Sequence, residues 1–365
     1  MDNSLKRELL RVPTERSITQ VMGELGAAIS ESGPALGFGR ITSSYVPDDV
    51  DVVVSTSGST GIAKEVGISR NALRVSTQAS LTYLEAKIGQ RWSLLLPLTH
   101  IAGVNVLARS LELGTEPFDL RNTENFTNVD FTAIVPTQLY RALNGDGKLL
   151  KHLQSAQAVL VGGAALSHSL AHSAREVGIN VVTTYGMSET SGGCVYNSKP
   201  LPSVDIRINA EGKVQIRGSM LAQTYINDPQ SWNDSFKEGW FTTNDLGTFD
   251  NGVLEIIGRS DEIIISGGEK VSLSAIEQSL SKKFPSVQLA ACSIASPEWG
   301  STLYIVGEDG SKLAESAIAE HLVEVFGPVA KPKGFFSIPA LPLIGVGKVD
   351  RHALAHLVRD QGVNQ

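Results

Sequence analysis

The chain has 365 residues, 42% of them hydrophobic, and a formal net charge of −7 from 38 acidic and 31 basic side chains. With a mean hydropathy of +0.01, this is the composition of a soluble globular protein long enough for two domains. No long basic stripe suits nucleic acid and no apolar run reaches membrane-spanning length, so neither partner is expected.

Ile18, Val21, Leu25 and Ile29 recur at helical spacing and predict a first helix, ended by Gly33-Pro34. Residues 51–55 read as a buried strand, and the stretch Thr56-Ser57-Gly58-Ser59-Thr60-Gly61-Ile62-Ala63-Lys64 follows. Glycines let successive backbone N–H groups turn toward one point, and hydroxyls and a lysine add to such an anion nest. A Walker A loop would need Gly-Lys-Ser/Thr at its end. Here Lys64 is correctly spaced from Gly58, but Ala63 replaces the second glycine and Glu65 the hydroxyl.

Ala72, Val75, Ala79 and Tyr83 mark a long helix, and Trp92 to Leu98 a second strand closed by Pro97. Val104, Leu107 and Leu111 mark a helix starting after His100-Ile101-Ala102-Gly103. Further strands are predicted at 131–135, stopped by Pro136, at 158–161 running into Gly162-Gly163, and at 180–184 opening into Tyr185-Gly186; a helix covers about 168–177. Strands alternating with helices predict βαβ units and a largely parallel sheet.

After about residue 200 the pattern changes. Residues 204–208 and 214–217 alternate apolar and polar around a turn-rich run, as half-buried antiparallel strands do, and 253–257 adds another. A second change comes near Gly258-Arg259-Ser260-Asp261. Beyond it the sequence predicts a strand at 263–265, a turn at Gly267-Gly268 and a helix carrying Leu273, Ile276, Leu280 and Phe284, with Ser274 and Glu277 as its capping box. Strands near 287–294 and 302–306 and a helix across 313–326 follow. The expected organisation is a large α/β domain over 1–260, with a β-rich subdomain at about 200–258, and a small mobile α+β cap over 261–365.

Cys194 and Cys292 lie far apart without metal-ligand spacing and read as packing residues in a reducing compartment. Met1 to Arg16 is charged and has no apolar core, so no signal peptide is expected and the expected location is cytoplasmic.

Five segments fit one pattern. The 56–64 loop resembles the phosphate loop of the acyl-adenylate-forming superfamily, which usually has proline where Ala63 stands. Tyr185-Gly186-Met187-Ser188-Glu189-Thr190 resembles its second signature, and Asn244-Asp245-Leu246-Gly247 its Thr-Gly-Asp segment. Gly258 to Glu262 with Gly267-Gly268-Glu269-Lys270-Val271 resembles its hinge and following loop. Leu341 to Arg351 resembles its C-terminal lysine motif, with Ile344 where threonine is usual.

This resemblance, from about Asp51 to Leu357, implies the adenylate-forming fold. It also implies ligation of a carboxylic acid to coenzyme A with ATP and magnesium. It implies that Thr56, Ser57, Gly58, Ser59, Thr60, Gly61 and Lys64 hold the β- and γ-phosphates. Glu189 would hold magnesium, which keeps waters and takes one or two carboxylates, and Thr190 would touch the α-phosphate. Tyr185 and Gly186 would enclose adenine against Gly162, Gly163 and Ala164, Asp245 would accept the ribose hydroxyls, and Arg259 would bond ribose or phosphate. Lys348 would swing in to bind the α-phosphate and the substrate carboxylate. Asp261 is the hinge position, and Gly267, Gly268 and Lys270 would face the coenzyme A arm after rotation.

Within the superfamily, residues 96–104 and the short leader are most similar to the o-succinylbenzoate–CoA ligases of menaquinone biosynthesis. His100, Ser188 and Gly186 would line the acyl pocket. Arg109, near an edge of its helix's apolar stripe, would either anchor the aromatic carboxylate or snorkel to solvent. A CoA ligase for another aromatic or medium-chain acid, an adenylation domain serving a carrier protein, a P-loop kinase and a nucleotide-sensing protein stay open at this point, as does a homo-oligomer.

Overall fold

The structure is a computed structural model that describes residues 6–56, 63–123, 125–266, 269–285, 287–296, 300–308, 314–344 and 348–363. Two sheets share one large core. The first runs in the order Thr224–Tyr225, Glu65–Ile68, Val52–Ser55, Ala35–Phe38, Lys6–Arg11, Tyr45–Pro47. The second runs Lys199–Pro200, Gly192–Tyr196, Val181–Met187, Ala158–Val161, Phe131–Ile134, Trp92–Leu94, Phe118–Asp119. Its last five strands are parallel, as the βαβ pattern predicts, and its first two antiparallel.

Side-chain alternation explains the layers. Phe131, Ala133, Ala158 and Leu160 point into the core shared with helices Ile18–Ile29, Arg70–Tyr83 and Ile101–Glu112. Ile134, Val159 and Val161 point the other way, onto helices Pro136–Leu143, Gly147–Ser155 and His168–Glu176. Each Val, Leu, Ile or Phe side chain so buried contributes about 1.5–3 kcal/mol, which is why the strands read as near-continuous apolar runs.

The structure departs from the sequence expectations at particular places. Pro136 does end a strand, but it also opens a helix at its first position, where the missing N–H costs nothing. The helix after Trp92–Leu94 starts at Ile101, with His100 at its N-cap, because Gly103 lets that first turn approach Pro97. Ser274 and Glu277 do not cap the next predicted helix. Ser272 does, by accepting the Ala275 N–H; the Ser274 hydroxyl goes to Glu262, and Glu277 is taken by Arg351 and the Ala291 N–H. Lys6–Arg11 is an unforeseen strand, tied down by Arg7 to the buried Asp51.

The β-rich region is one antiparallel sheet of Asp205–Ile208, Lys213–Arg217, Trp240–Asp250, Phe236–Lys237 and Val253–Arg259. Past it, Ile263–Ser266, Glu269–Ser272, Leu289–Ser296, Gly300–Glu308 and Gly334–Ile338 form a separate sheet. Its cores, built on Ile276, Leu280, Ile305 and Leu322 and on Cys292, Val306 and Leu354, draw only on residues after 260. Among the described residues, no helix is long and apolar enough to cross a membrane.

Candidate active site

The candidate residues gather where strands end. Val52–Ser55, Ala158–Val161 and Val181–Met187 all deliver their carboxyl ends to one region, the position at which open α/β sheets bind ligands. Thr99 lies against the same edge, since a Cβ on Gly39 would meet both Ser55 Oγ and the Thr99 carbonyl. His100 follows it; its ring does not cap the helix it precedes.

Thr56 N–H donates to the Lys64 carbonyl at 2.9 Å, joining the two ends of the expected phosphate-loop segment. Ser57, Gly58, Ser59, Thr60 and Gly61 lie outside the described residues. The flanking strands pair antiparallel, Ser55 opposite Glu65, so the loop tops a hairpin. A P-loop joins a strand to a helix instead, which sets the kinase reading aside. Glu65, standing in place of the Walker hydroxyl, is buried and accepts the Thr42 N–H at 2.5 Å and its hydroxyl at 2.6 Å. Burial alone would raise its pKa, but these bonds and those from Ser43 outweigh it and leave the carboxyl below its ordinary value.

After Val181–Met187, Ser188–Thr190 forms one tight turn. Ser191 after it is left-handed, and its carbonyl is held by Ser76 Oγ at 3.0 Å and Asn105 Nδ2 at 2.9 Å. Thr190 is fully buried, its hydroxyl 2.6 Å from the Gly192 carbonyl and accepting the Met187 N–H at 2.9 Å. Ser188 is buried beside it. Glu189 is half-buried and its Oε1 accepts the Tyr225 hydroxyl at 2.8 Å. Lys64 Nζ stands 4.2 Å from the centre of the same Tyr225 ring. Gly186 permits a close approach in the site: a Cβ there would fall 2.1 Å from the Gly192 carbonyl.

A second chain of contacts runs from Tyr185 toward the C-terminal module. The Tyr185 hydroxyl donates to Asp245 Oδ2 at 2.7 Å, and Arg259 Nη1 reaches Asp245 Oδ1 at 3.3 Å. Arg259 then grips Asp261 with two nitrogens, at 2.8 and 2.6 Å. Burial and the Asp245 charge raise the Tyr185 pKa well above its ordinary value, so its proton stays on oxygen. Burial pulls Arg259 down, but the bonds to Asp261 and the charges of Asp245, Asp261 and Glu262 outweigh it. Asp245 keeps lone pairs for two more donors, enough for a ribose diol. Gly162, Gly163 and Ala164 leave the strand adjacent to that of Tyr185, and Gly162 is pressed against Thr184.

Arg109 does not snorkel. It is 4% exposed, one helical turn beyond Asn105, with Nη2 3.3 Å from the Tyr196 hydroxyl and its guanidinium 5.0 Å from the Trp92 ring centre. Its Nε has no partner, and among the described residues no carboxylate pairs with it. Other unsatisfied polar atoms sit on the same elements, Trp92 Nε1, Asn105 Oδ1 and Ser110 Oγ, and Thr77 Oγ1 sits on the helix Arg70–Tyr83. A guanidinium without an ion partner taken out of water costs several kcal/mol, and here a phenol and an indole face are its neighbours.

Lys348 lies on the two-residue strand Lys348–Val349, paired with Leu343–Ile344. Its side chain, like that of Lys270, lies outside the described residues, as do Gly267 and Gly268. Tyr225 and Asn227 contact the site and were not foreseen; a Thr-Tyr-Ile-Asn run carries no motif signal. Cys194, on the strand next to Tyr185, is buried, and burial pushes its thiol up to about 12, as it does for Cys292. At pH 8 only about one thiol in 10⁴ would be ionised. Neither cysteine should therefore label with iodoacetamide in the native protein, and both should in denaturant.

Magnesium and ATP fit this donor set. Among the described residues no three His, Cys, Asp or Glu side chains converge on a metal position, and one carboxylate suits an ion that arrives on phosphates with its waters.

Comparison with known proteins agrees with this geometry. The profile of the AMP-binding enzymes matches residues 11–226. A probable 2-succinylbenzoate–CoA ligase of Mycobacterium tuberculosis is 34% identical over 94% of this chain and 97% of its own length. A structure of a variant of E. coli MenE with bound OSB-AMS superposes with a TM-score of 0.72 at 27% identity, covering 88% of this chain and 71% of that one. The Bacillus subtilis o-succinylbenzoate coenzyme A synthetase, in complex with ATP and magnesium ion, shares the fold at a TM-score of 0.73 and 23% identity, over 95% and 83% of the two chains.

Proposed function

The chain belongs to the AMP-binding enzyme family, and we propose that it is the ATP-dependent ligase that converts 2-succinylbenzoate and coenzyme A to 2-succinylbenzoyl-CoA, with AMP and diphosphate as the other products. The acid's aliphatic carboxylate attacks the α-phosphorus, and the thiol of coenzyme A then displaces AMP from the acyl-adenylate. That product belongs to menaquinone biosynthesis, the pathway the motif resemblance implied.

Negative charge grows on the non-bridging oxygens in the first step, so fixed donors must already stand there. Lys64 and its loop would hold the outer phosphates, and Asp245, tied to Tyr185, would orient the ribose. Glu189 would hold magnesium, which when bound neutralises phosphate charge. Lys348 would enter from the C-terminal module and bridge the α-phosphate and the acid. For the second step that module would turn about Asp261, which requires Arg259 to release its two bonds, and bring Lys270 and its loop toward the thiol.

The observation that favours this acid is Arg109. A substrate with two carboxylates, only one of which reacts, supplies the anion that a buried and unpaired guanidinium lacks. The test is thioester formation from ATP, coenzyme A and a panel of carboxylic acids, with AMP followed. 2-Succinylbenzoate should give the highest kcat/KM. A panel in which benzoate or a medium-chain acid leads, or ADP accumulates, would overturn the assignment.

A further inference from the structure

Among the described residues, residues 222–227 bridge the two sides of the ATP site. The Ala222 N–H donates to the Glu189 carbonyl at 2.8 Å, and the Tyr225 hydroxyl to the Glu189 carboxylate. On the other side, the Asn227 amide brackets Lys64: its nitrogen donates to the Ala63 carbonyl at 2.8 Å and its oxygen accepts the Glu65 N–H at 2.9 Å. The Ile226 N–H adds a bond to the Glu65 carbonyl at 2.7 Å. Tyr225 joins both sides, its oxygen on Glu189 and its ring beneath Lys64.

We infer that Tyr225 is a positioning residue, whose hydroxyl fixes the Glu189 carboxylate for the magnesium ion of ATP while its ring sets the Lys64 ammonium at the outer phosphates. The inference rests on the proposed magnesium role of Glu189. A half-buried glutamate on a one-turn helix has several rotamers to lose when it takes up an ion. A phenol that is itself immobile selects one of them beforehand. Tyr225 is immobile: it is 3% exposed, paired opposite Val66 on an edge strand, and packed edge-on to Trp232 with ring centres 5.3 Å apart. The ring face, with Lys64 4.2 Å from its centre, adds a cation–π attraction that keeps the lysine at the loop's exit. Groups that orient metal ligands in this way typically change metal affinity by 10- to 100-fold when removed.

Tyr225→Phe separates the two tasks, because it deletes the oxygen and keeps the ring under Lys64 and against Trp232. ATP binding is measured by calorimetry across a magnesium titration and again in EDTA. The expected result is a half-saturating magnesium concentration raised about tenfold, with ATP affinity in EDTA changed less than about twofold. In a Glu189→Gln background the same substitution should add no further shift, since its target is gone. Unchanged magnesium dependence in Tyr225→Phe overturns the inference, as does an equal loss of ATP affinity with and without the ion. If the wild-type protein binds ATP with no dependence on magnesium, the role given to Glu189 fails, and this inference with it. Normal dependence in the wild type with none lost in the variant sinks only the inference.

Discussion

Lys348→Ala is expected to lose ATP–pyrophosphate exchange by about 100- to 1000-fold in kcat, while coenzyme A thioester formation from supplied acyl-adenylate survives nearly intact. The size follows from what one fixed donor at a developing oxyanion contributes, about 3–4 kcal/mol in a water-poor site. The split between half-reactions follows from where the lysine is mounted. Its strand closes a small hairpin whose base is pinned by the Asp350 N–H to the Pro342 carbonyl at 2.8 Å. Three residues on, Arg351 ties that hairpin to its own module through Glu277, at 2.5 and 2.8 Å, and Glu262, at 3.2 Å. Glu262 directly follows Asp261, the proposed hinge. Under the proposed rotation about Asp261 the module would carry Lys348 with it, and a state that brought residues 267–270 to the site would withdraw the lysine. Removing the ammonium leaves these mounts untouched, so the variant should fold normally. Full pyrophosphate exchange in Lys348→Ala would remove the lysine from the mechanism. Equal loss of both half-reactions would contradict the rotation.

Much of this candidate site's layout is legible from the sequence alone because the residues proposed for its chemistry fall in short runs. A phosphate nest needs glycines and hydroxyls in sequence, and Tyr185, Glu189 and Thr190 must leave one strand end within a single turn. What the sequence hid was the pairing across the chain. Nothing near Tyr225 says that its hydroxyl meets Glu189, thirty-six positions earlier. Nothing near Arg259 says that Asp245 takes one of its nitrogens while Asp261 takes the other two. Ser274 and Glu277 have cap spacing, yet both side chains had better partners: Glu262 for one and the Arg351 guanidinium for the other. Local patterns state what a residue can bond; tertiary packing decides which bond is made. The parallel strands were legible for the opposite reason, since a strand buried on both faces needs no partner named to be recognised.

Arg109 is the position at which folding and function pull in opposite directions, and Arg109→Met should expose the conflict. The substitution keeps the length and apolar stem of the side chain and removes an unpaired charge from beside Trp92 and Tyr196. Replacing buried charge by a well-packed apolar group is often neutral or stabilising by about 1–4 kcal/mol, so the ligand-free variant should melt no lower than the wild type. Turnover should suffer where the second carboxylate matters. A hydrogen bond to a charged group is worth about 1.5–3 kcal/mol, which predicts a 10- to 100-fold rise in KM for 2-succinylbenzoate with a smaller change in kcat. The comparison that isolates the contact is 4-oxo-4-phenylbutanoate, the same acid without its ring carboxylate. The wild type should prefer 2-succinylbenzoate to it strongly, and Arg109→Met should bring the two close to parity. Preference retained in the variant would mean that another group reads the ring carboxylate. A variant that melts well below the wild type would mean that the guanidinium is held for packing, since only a structural role makes its loss costly when no substrate is present.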